Sequence, residues 1–286
     1  MKMLGLSLRE LTASENQEPF IPREEQFIFK RQSLNNLDLQ TLTTYIHHGF
    51  FPALYEKDDQ LVDWDGFYSS YFRTYLDKDI RGLHNITDET AFVRFVQATA
   101  GMTGQSLDLL TISSICGKKI NKVKSWLSIL ESSGLVYLLP PYYNNQNKLS
   151  VRTPKLYFLD SGLACWLLGY NTPEQLSKGA MWGSIFESFV FSEILKSYYN
   201  NGIIYPPLFC YRDQEKNEID ILISEGDTLY PLEIKTTSDP SKSMVNAFKQ
   251  LDNISGKKRG IGVLLCLADR VLPLQEKVWI MPVSAI

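Results

Sequence analysis

Two short segments in the last quarter of the chain constrain its fold more than any others. Glu218-Ile219-Asp220-Ile221-Leu222-Ile223 is followed, after a short polar turn, by Tyr230-Pro231-Leu232-Glu233-Ile234-Lys235. They read as adjoining strands, with an Asp near the start of the first and Glu-x-Lys at the end of the second. Strand residues alternate faces, so Glu233 and Lys235 share one face and Leu232 and Ile234 the other. A hairpin brings Asp220 close to Glu233. Two carboxylates and an ammonium at one end of a sheet suit a hard divalent cation such as Mg²⁺ together with a phosphate. The alternative is a solvated ion pair on a strand face.

Composition sets the outer limits. The 286 residues allow two or three domains. A hydrophobic fraction of 44%, a charged fraction of 21% and a net charge of −3 are those of an ordinary globular protein. They argue against a generally basic nucleic-acid coat protein, but leave room for a local basic patch. The cysteines Cys116, Cys165, Cys210 and Cys266 are far apart and form no C-x-x-C pair, and the histidines His47, His48 and His84 lie elsewhere. Buried reduced thiols in a cytoplasm are therefore expected rather than a zinc site. No signal peptide and no membrane-spanning stretch is expected.

Four units follow along the chain. Residues 1–32 read as a connecting segment. Residues 33–86 read as helical, with one helix from Ser33 to His48 and a second bearing Tyr68, Tyr71, Phe72, Tyr75 and Leu76 on one face. That aromatic stripe suits core packing better than base stacking. If a partner domain normally covers it, its exposure would promote self-association. Residues 87–159 hold three helices, the last running from about Asn121 to Gly134, then strands at Leu135–Leu139 and Leu156–Leu159. This is the order of a winged helix-turn-helix with a two-stranded ribbon. Lys118, Lys119, Lys122 and Lys124 cluster where such a module presents its third helix to DNA. They suit phosphate contacts, and no Arg or Gln in that segment offers base readout. The alternatives are a protein-interaction module or a solvated face. Residues 160–286 read as helix, three strands, helix and strand. The first helix carries Ser184-x-x-Glu187, a potential capping box. A later helix begins at Asp239-Pro240, and Gly260–Ala268 is a buried strand. The whole is α/β overall, of α+β type.

The order of the last unit, with Glu187 on its first helix, Asp220 on its second strand and Glu233-x-Lys235 on its third, resembles the restriction-endonuclease-like PD-(D/E)xK superfamily. The resemblance implies that Asp220 and Glu233 bind Mg²⁺, with the Ile234 carbonyl as a third ligand. It further implies that Lys235 orients or activates the attacking water and that Glu187 is an accessory acid. Gln250 matches a polar position loosely. More widely, the runs Tyr75-Leu76-Asp77-Lys78-Asp79-Ile80, Trp126-Leu127-Ser128-Ile129-Leu130-Glu131, Leu138-Leu139-Pro140-Pro141-Tyr142, Pro154 to Ala164 and Phe186-Glu187-Ser188-Phe189-Val190 resemble one family. Its members are prokaryotic AAA-type P-loop ATPases whose C-terminal half is catalogued as a domain of unknown function. The chain departs from that family in one respect: it has no G-x-x-x-x-G-K-[ST] loop. The resemblance thus implies a C-terminal half without an ATP site. Such a half is expected to act on nucleic acid, DNA above all, as a Mg²⁺-dependent endonuclease, or else to serve as a non-catalytic binding and regulatory module for an ATPase partner.

Overall fold

Ser7 starts the first helix by closing a capping box on Glu10, each side chain bonding the other residue's amide. In the computed structural model, which describes residues 4–13, 18–31, 37–55, 63–76, 88–143 and 153–286, this helix is α1 (Leu8–Leu11), followed by α2 (Glu25–Arg31). Although these residues lack an amphipathic run, Leu8, Phe20, Ile21 and Ile28 are buried in the largest apolar cluster, together with residues of the C-terminal unit. The Leu8 amide donates to the buried Glu193 carboxylate at 2.7 Å, and the Phe20 amide to Ser197 Oγ at 3.0 Å. Apolar residues scattered singly in sequence thus find their partners at the other end of the chain.

Asp38 caps α3 (Leu39–His48), so this helix begins six residues after the expected Ser33. It ends at Gly49, whose φ of +87° leaves no space for a Cβ beside the Tyr68 hydroxyl. Helix α4 (Trp64–Tyr75) buries Tyr68, Phe72 and Tyr75 in a second cluster with Phe92, Phe95 and Trp126. The aromatic stripe is therefore interior, spent on the chain's own core. Of the run that follows it, residues 77–80 lie outside the described residues, as does His84.

Asp88 caps α5 (Glu89–Ala100), and β1 (Gln105–Ser106), α6 (Leu109–Cys116), α7 (Ile120–Ser132), β2 (Val136–Leu139) and β3 (Lys155–Phe158) complete the winged unit. Gly134, at φ +74°, ends α7, and the Leu135 amide returns to the Leu130 carbonyl at 2.9 Å in the six-to-one bond of a Schellman turn. The sheet has three strands in the order β1-β3-β2, not two. The added β1 is only two residues long and carries no periodicity to betray it.

Two short helices, α8 (Ser161–Leu167) and α9 (Pro173–Lys178), lead to α10 (Trp182–Tyr199). The C-terminal sheet then forms from β4 (Leu208–Arg212), β5 (Glu218–Glu225), β6 (Thr228–Ile234), β7 (Lys258–Arg259), β8 (Gly262–Cys266), β9 (Leu272–Gln275) and β10 (Val278–Pro282). Its order is β4-β5-β6-β8-β10-β9, with β7 alongside β6; β8 lies parallel to both β6 and β10. Phe186, Phe189, Val190 and Ile194 of α10 share a cluster with Ile221, Ile223, Leu232 and Ile234. Val245, Phe248 and Leu251 share another with Ile219, Leu222 and Leu264. The sheet is thus covered on both faces, which explains the unbroken burial of β8. The helix expected from Asp239-Pro240 is instead a 3-10 segment over Lys242–Asn253, flanked by Ser241 and kinked at Val245. Asp239 folds back in a local turn, its amide bonding Thr237 Oγ1.

Candidate active site

The site forms where β5 and β6 part. Their antiparallel register runs from Glu225↔Thr228 to Ile221↔Leu232 and stops there. The Ile234 amide, beyond the last pair, donates instead to Asp220 Oδ2 at 2.9 Å. On its other side β5 slips register against β4: Phe209 faces Leu222 and Tyr211 faces Ile219, so Asp220 and Ile221 together oppose Cys210. This is a β-bulge, a device that re-aims a side chain. It explains why Ile219 and Ile221, two residues apart, reach clusters on opposite faces.

Four expected residues meet here. The Lys235 ammonium pairs with Glu233 Oε1 and lies 3.7 Å from Asp220 Oδ2. Glu187, in the second turn of α10, lies across the notch. Its capping-box reading fails, because α10 starts at Trp182 after Met181, a cap without a side-chain bond, and Ser184 is already inside the helix. Glu187 Oε1 instead accepts from the Tyr157 hydroxyl at 2.6 Å and pairs with Lys155 Nζ at 2.5 Å. The same Nζ donates to Asp220 Oδ1 at 2.9 Å. Lys155 and Tyr157 belong to β3 of the winged unit. Tyr157 is held by stacking on Phe191 of α10, ring centroids 4.2 Å apart. Neither residue figured among those expected from sequence; their presence in the Pro154–Ala164 run was the one available signal.

The winged sheet is fastened to this edge. The Phe158 amide donates to Thr103 Oγ1, which bonds Ser188 Oγ of α10 at 2.6 Å. Pro141 bridges to Cys210 of β4, through bonds from Cys210 N to the Pro140 carbonyl and from Tyr142 N to the Cys210 carbonyl. Between the two units opens a cleft of about 490 Å³, lined by Gln105, Ser106, Lys155, Glu187, Arg212, Asp220 and Lys235.

Burial and mutual repulsion sort the acids. Glu233 is pushed up to about 8 by burial, then by the Asp220 charge, against the pull of Lys235. Glu187 rises to about 7 for the same first two reasons, opposed by Lys155. Burial acts on Asp220 as well, but the charges of Lys155 and Lys235 and the bonds from Lys155 and the Ile234 amide outweigh it and hold it low. Lys155 and Lys235 both rise, the carboxylates overcoming the burial that opposes their charge. Among the described residues, Glu233 Oε2 is buried without a hydrogen-bond partner. Whether that carboxyl is ionised or protonated, the oxygen lacks a group to bond. The donor set around it, all oxygen on the Asp220 and Glu233 side, suits a hard cation. Among the described residues no three acidic, imidazole or thiol groups stand close enough to form a complete ligand set.

The lysine cluster lies elsewhere, at the start of α7. Lys119, Lys122 and Lys124 are exposed, Lys118 pairs with Asp88 at 2.5 Å, and Lys122 lies over the Trp126 ring. All four cysteines are buried and free. Among the described residues no helix is long and apolar enough to cross a membrane.

Comparison with known proteins finds two segments of the chain similar to domain families. Residues 39–174 match a domain of unknown function, DUF8612, and residues 182–286 match another, DUF4143. Uncharacterized proteins of Mycobacterium bovis and Mycobacterium tuberculosis are each 27% identical over 183 residues, covering 63% of this chain. The chain spans 40% of the length of these relatives. The boundary between the matched segments runs through the site. Lys155 and Tyr157 come from the first, and Glu187, Asp220, Glu233 and Lys235 from the second.

Proposed function

We propose that the C-terminal unit is a Mg²⁺-dependent endonuclease and that the winged unit holds its nucleic-acid substrate, DNA in the first instance. The observation that carries this reading is the buried oxygen of Glu233, partnerless among the described residues, next to Asp220 and Lys235, which line a polar cleft. A buried polar atom left unsatisfied costs about 1–3 kcal/mol, a penalty a bound cation relieves. Asp220 and Glu233 would hold the ion, with the Ile234 carbonyl as the third ligand. When bound, it would supply an activated water and charge neutralisation at phosphorus. Lys235, less deeply buried than either acid, is placed to meet a phosphate entering the cleft and to orient the water beside it. Lys118, Lys119, Lys122 and Lys124 would grip backbone phosphates without reading bases. The resemblance to the C-terminal half of AAA-type ATPases and the greater length of the mycobacterial relatives support a partnership with an ATPase domain.

The test is nicking of supercoiled, linear and single-stranded DNA, and of RNA, with Mg²⁺ or Mn²⁺. Asp220→Ala should abolish cleavage and leave binding within about threefold, since base-independent affinity resides in phosphate contacts. Absence of metal-dependent cleavage of every form would overturn the reading.

One observation favours a second reading, a binding and regulatory module that keeps the nuclease fold without its chemistry. Both lysines of the site are already engaged, Lys235 with Glu233 and Lys155 between Glu187 and Asp220. Nucleic-acid binding that Asp220→Ala leaves intact, in a wild type that never cleaves, would establish it.

A further inference from the structure

The two sides of the acid cluster are finished differently. Glu233 has an oxygen with no donor, whereas Glu187 Oε1 already has two, the Tyr157 hydroxyl and the Lys155 ammonium. Lys155 Nζ lies within 2.9 Å of an oxygen from each of Glu187 and Asp220. In two-metal phosphodiesterases the ions sit about 3.5–4 Å apart and share a carboxylate. Here Asp220 is the carboxylate such a pair would share, and its Oδ1 is occupied by an ammonium.

We infer that Lys155 is a resident second cation, filling the Glu187–Asp220 gap so that the centre takes a single divalent ion, on the Asp220–Glu233 side. This rests on the metal-dependent reading above and specifies its stoichiometry. Lys155 is not a surface lysine free to swing away. Its backbone is paired with Leu139 on one side and Ser106 on the other, and its side chain is 13% exposed. Mg²⁺ in that gap would need these oxygens at about 2.0–2.1 Å and would stand against the ammonium that already bonds them. Charge agrees with geometry. Three carboxylates against two ammoniums leave one negative charge when all are ionised. One divalent ion already inverts that balance, and a second would add two positive charges to a buried site. Because Lys155 belongs to the winged unit, the cation count of the catalytic unit is set by its neighbour.

The experiment is calorimetric titration with Mn²⁺, joined to electron paramagnetic resonance of the bound ion, on the full chain and its Lys155→Met and Lys155→Arg variants. Expected are one ion on the wild type, two on Lys155→Met with an exchange-coupled spectrum, and one on Lys155→Arg. Two ions on the wild type, or one ion at unchanged affinity on Lys155→Met, overturn the inference and leave the metal-dependent reading standing. No ion on the wild type or on Lys155→Met overturns both. If Lys155→Met fails to fold, the wild-type stoichiometry and Lys155→Gln decide in its place.

Discussion

The winged unit carries two kinds of lysine. Lys119, Lys122 and Lys124 at the start of α7 are exposed. Lys155, in the same unit, is buried between Glu187 and Asp220. The charge is the same, yet the consequences differ. An exposed ammonium adds little to stability and much to long-range attraction of anions. A buried one is tied to its partners, so that removing any one of them leaves a charge uncompensated.

The sharpest way to break this contrast is to delete a buried partner. Asp220→Ala leaves Lys155 and Lys235 short of their shared carboxylate and should destabilise the chain by about 3–5 kcal/mol in urea unfolding. A loss below about 1 kcal/mol would put the buried pair on a par with the surface.

Acidity gives an effect of the same order, spread over several pH units. Glu187 and Glu233, ordinarily at 4.5, hold their protons to about 7 and about 8 in the folded chain. Between those limits the folded chain keeps protons that the unfolded chain gives up. Stability from these two groups is therefore full at low pH and falls as pH rises through that window, by up to about 1.4 kcal/mol per unit for each group. Asp220 runs the other way: held low, it contributes stability above its unfolded value that is lost on acidification. Urea midpoints from pH 5 to 8 should decline, and Glu233→Gln should flatten the decline above pH 7. A level wild-type profile over that range would refute the assignment.

Smaller again, Tyr157→Phe removes one donor from Glu187 Oε1 while leaving the Phe191 stack, and should cost about 1–2 kcal/mol. The exposed lysines stand last. Lys122→Ala and Lys124→Ala should shift stability by no more than about 0.5 kcal/mol. If each contacts a phosphate, each should lower the salt slope of DNA binding by about 0.9, as fluorescence anisotropy at several salt concentrations would show.

Legibility in the sequence divides along the same line. The β5–β6 hairpin announces itself by alternation, and α7 by its apolar period, its basic start and Gly134. The acids Glu187, Asp220 and Glu233 and the lysine Lys235 come together as their pattern suggests. Lys155 could not be read this way. It stands one residue before the expected strand, and its partners are 32 and 65 positions away. Nothing local marks a lysine that will be buried by another unit. The bulge at Asp220 and Ile221 is likewise written in pairing with β4, not in either strand alone. Ser184-x-x-Glu187 shows the converse: a genuine local pattern, overridden because the helix starts earlier and Glu187 has stronger partners across the cleft.

The attachment of the first residues to α10 has a consequence for biogenesis. The acceptors of the Leu8 and Phe20 amides lie 185 and 177 positions downstream. During translation Leu8 and Phe20 therefore emerge well before α10, and Phe20 stays without its Ser197 partner until that helix has left the ribosome. The bond that settles Phe20 thus forms only once the chain has reached Ser197, and a chaperone attending this stretch would hold it across that interval.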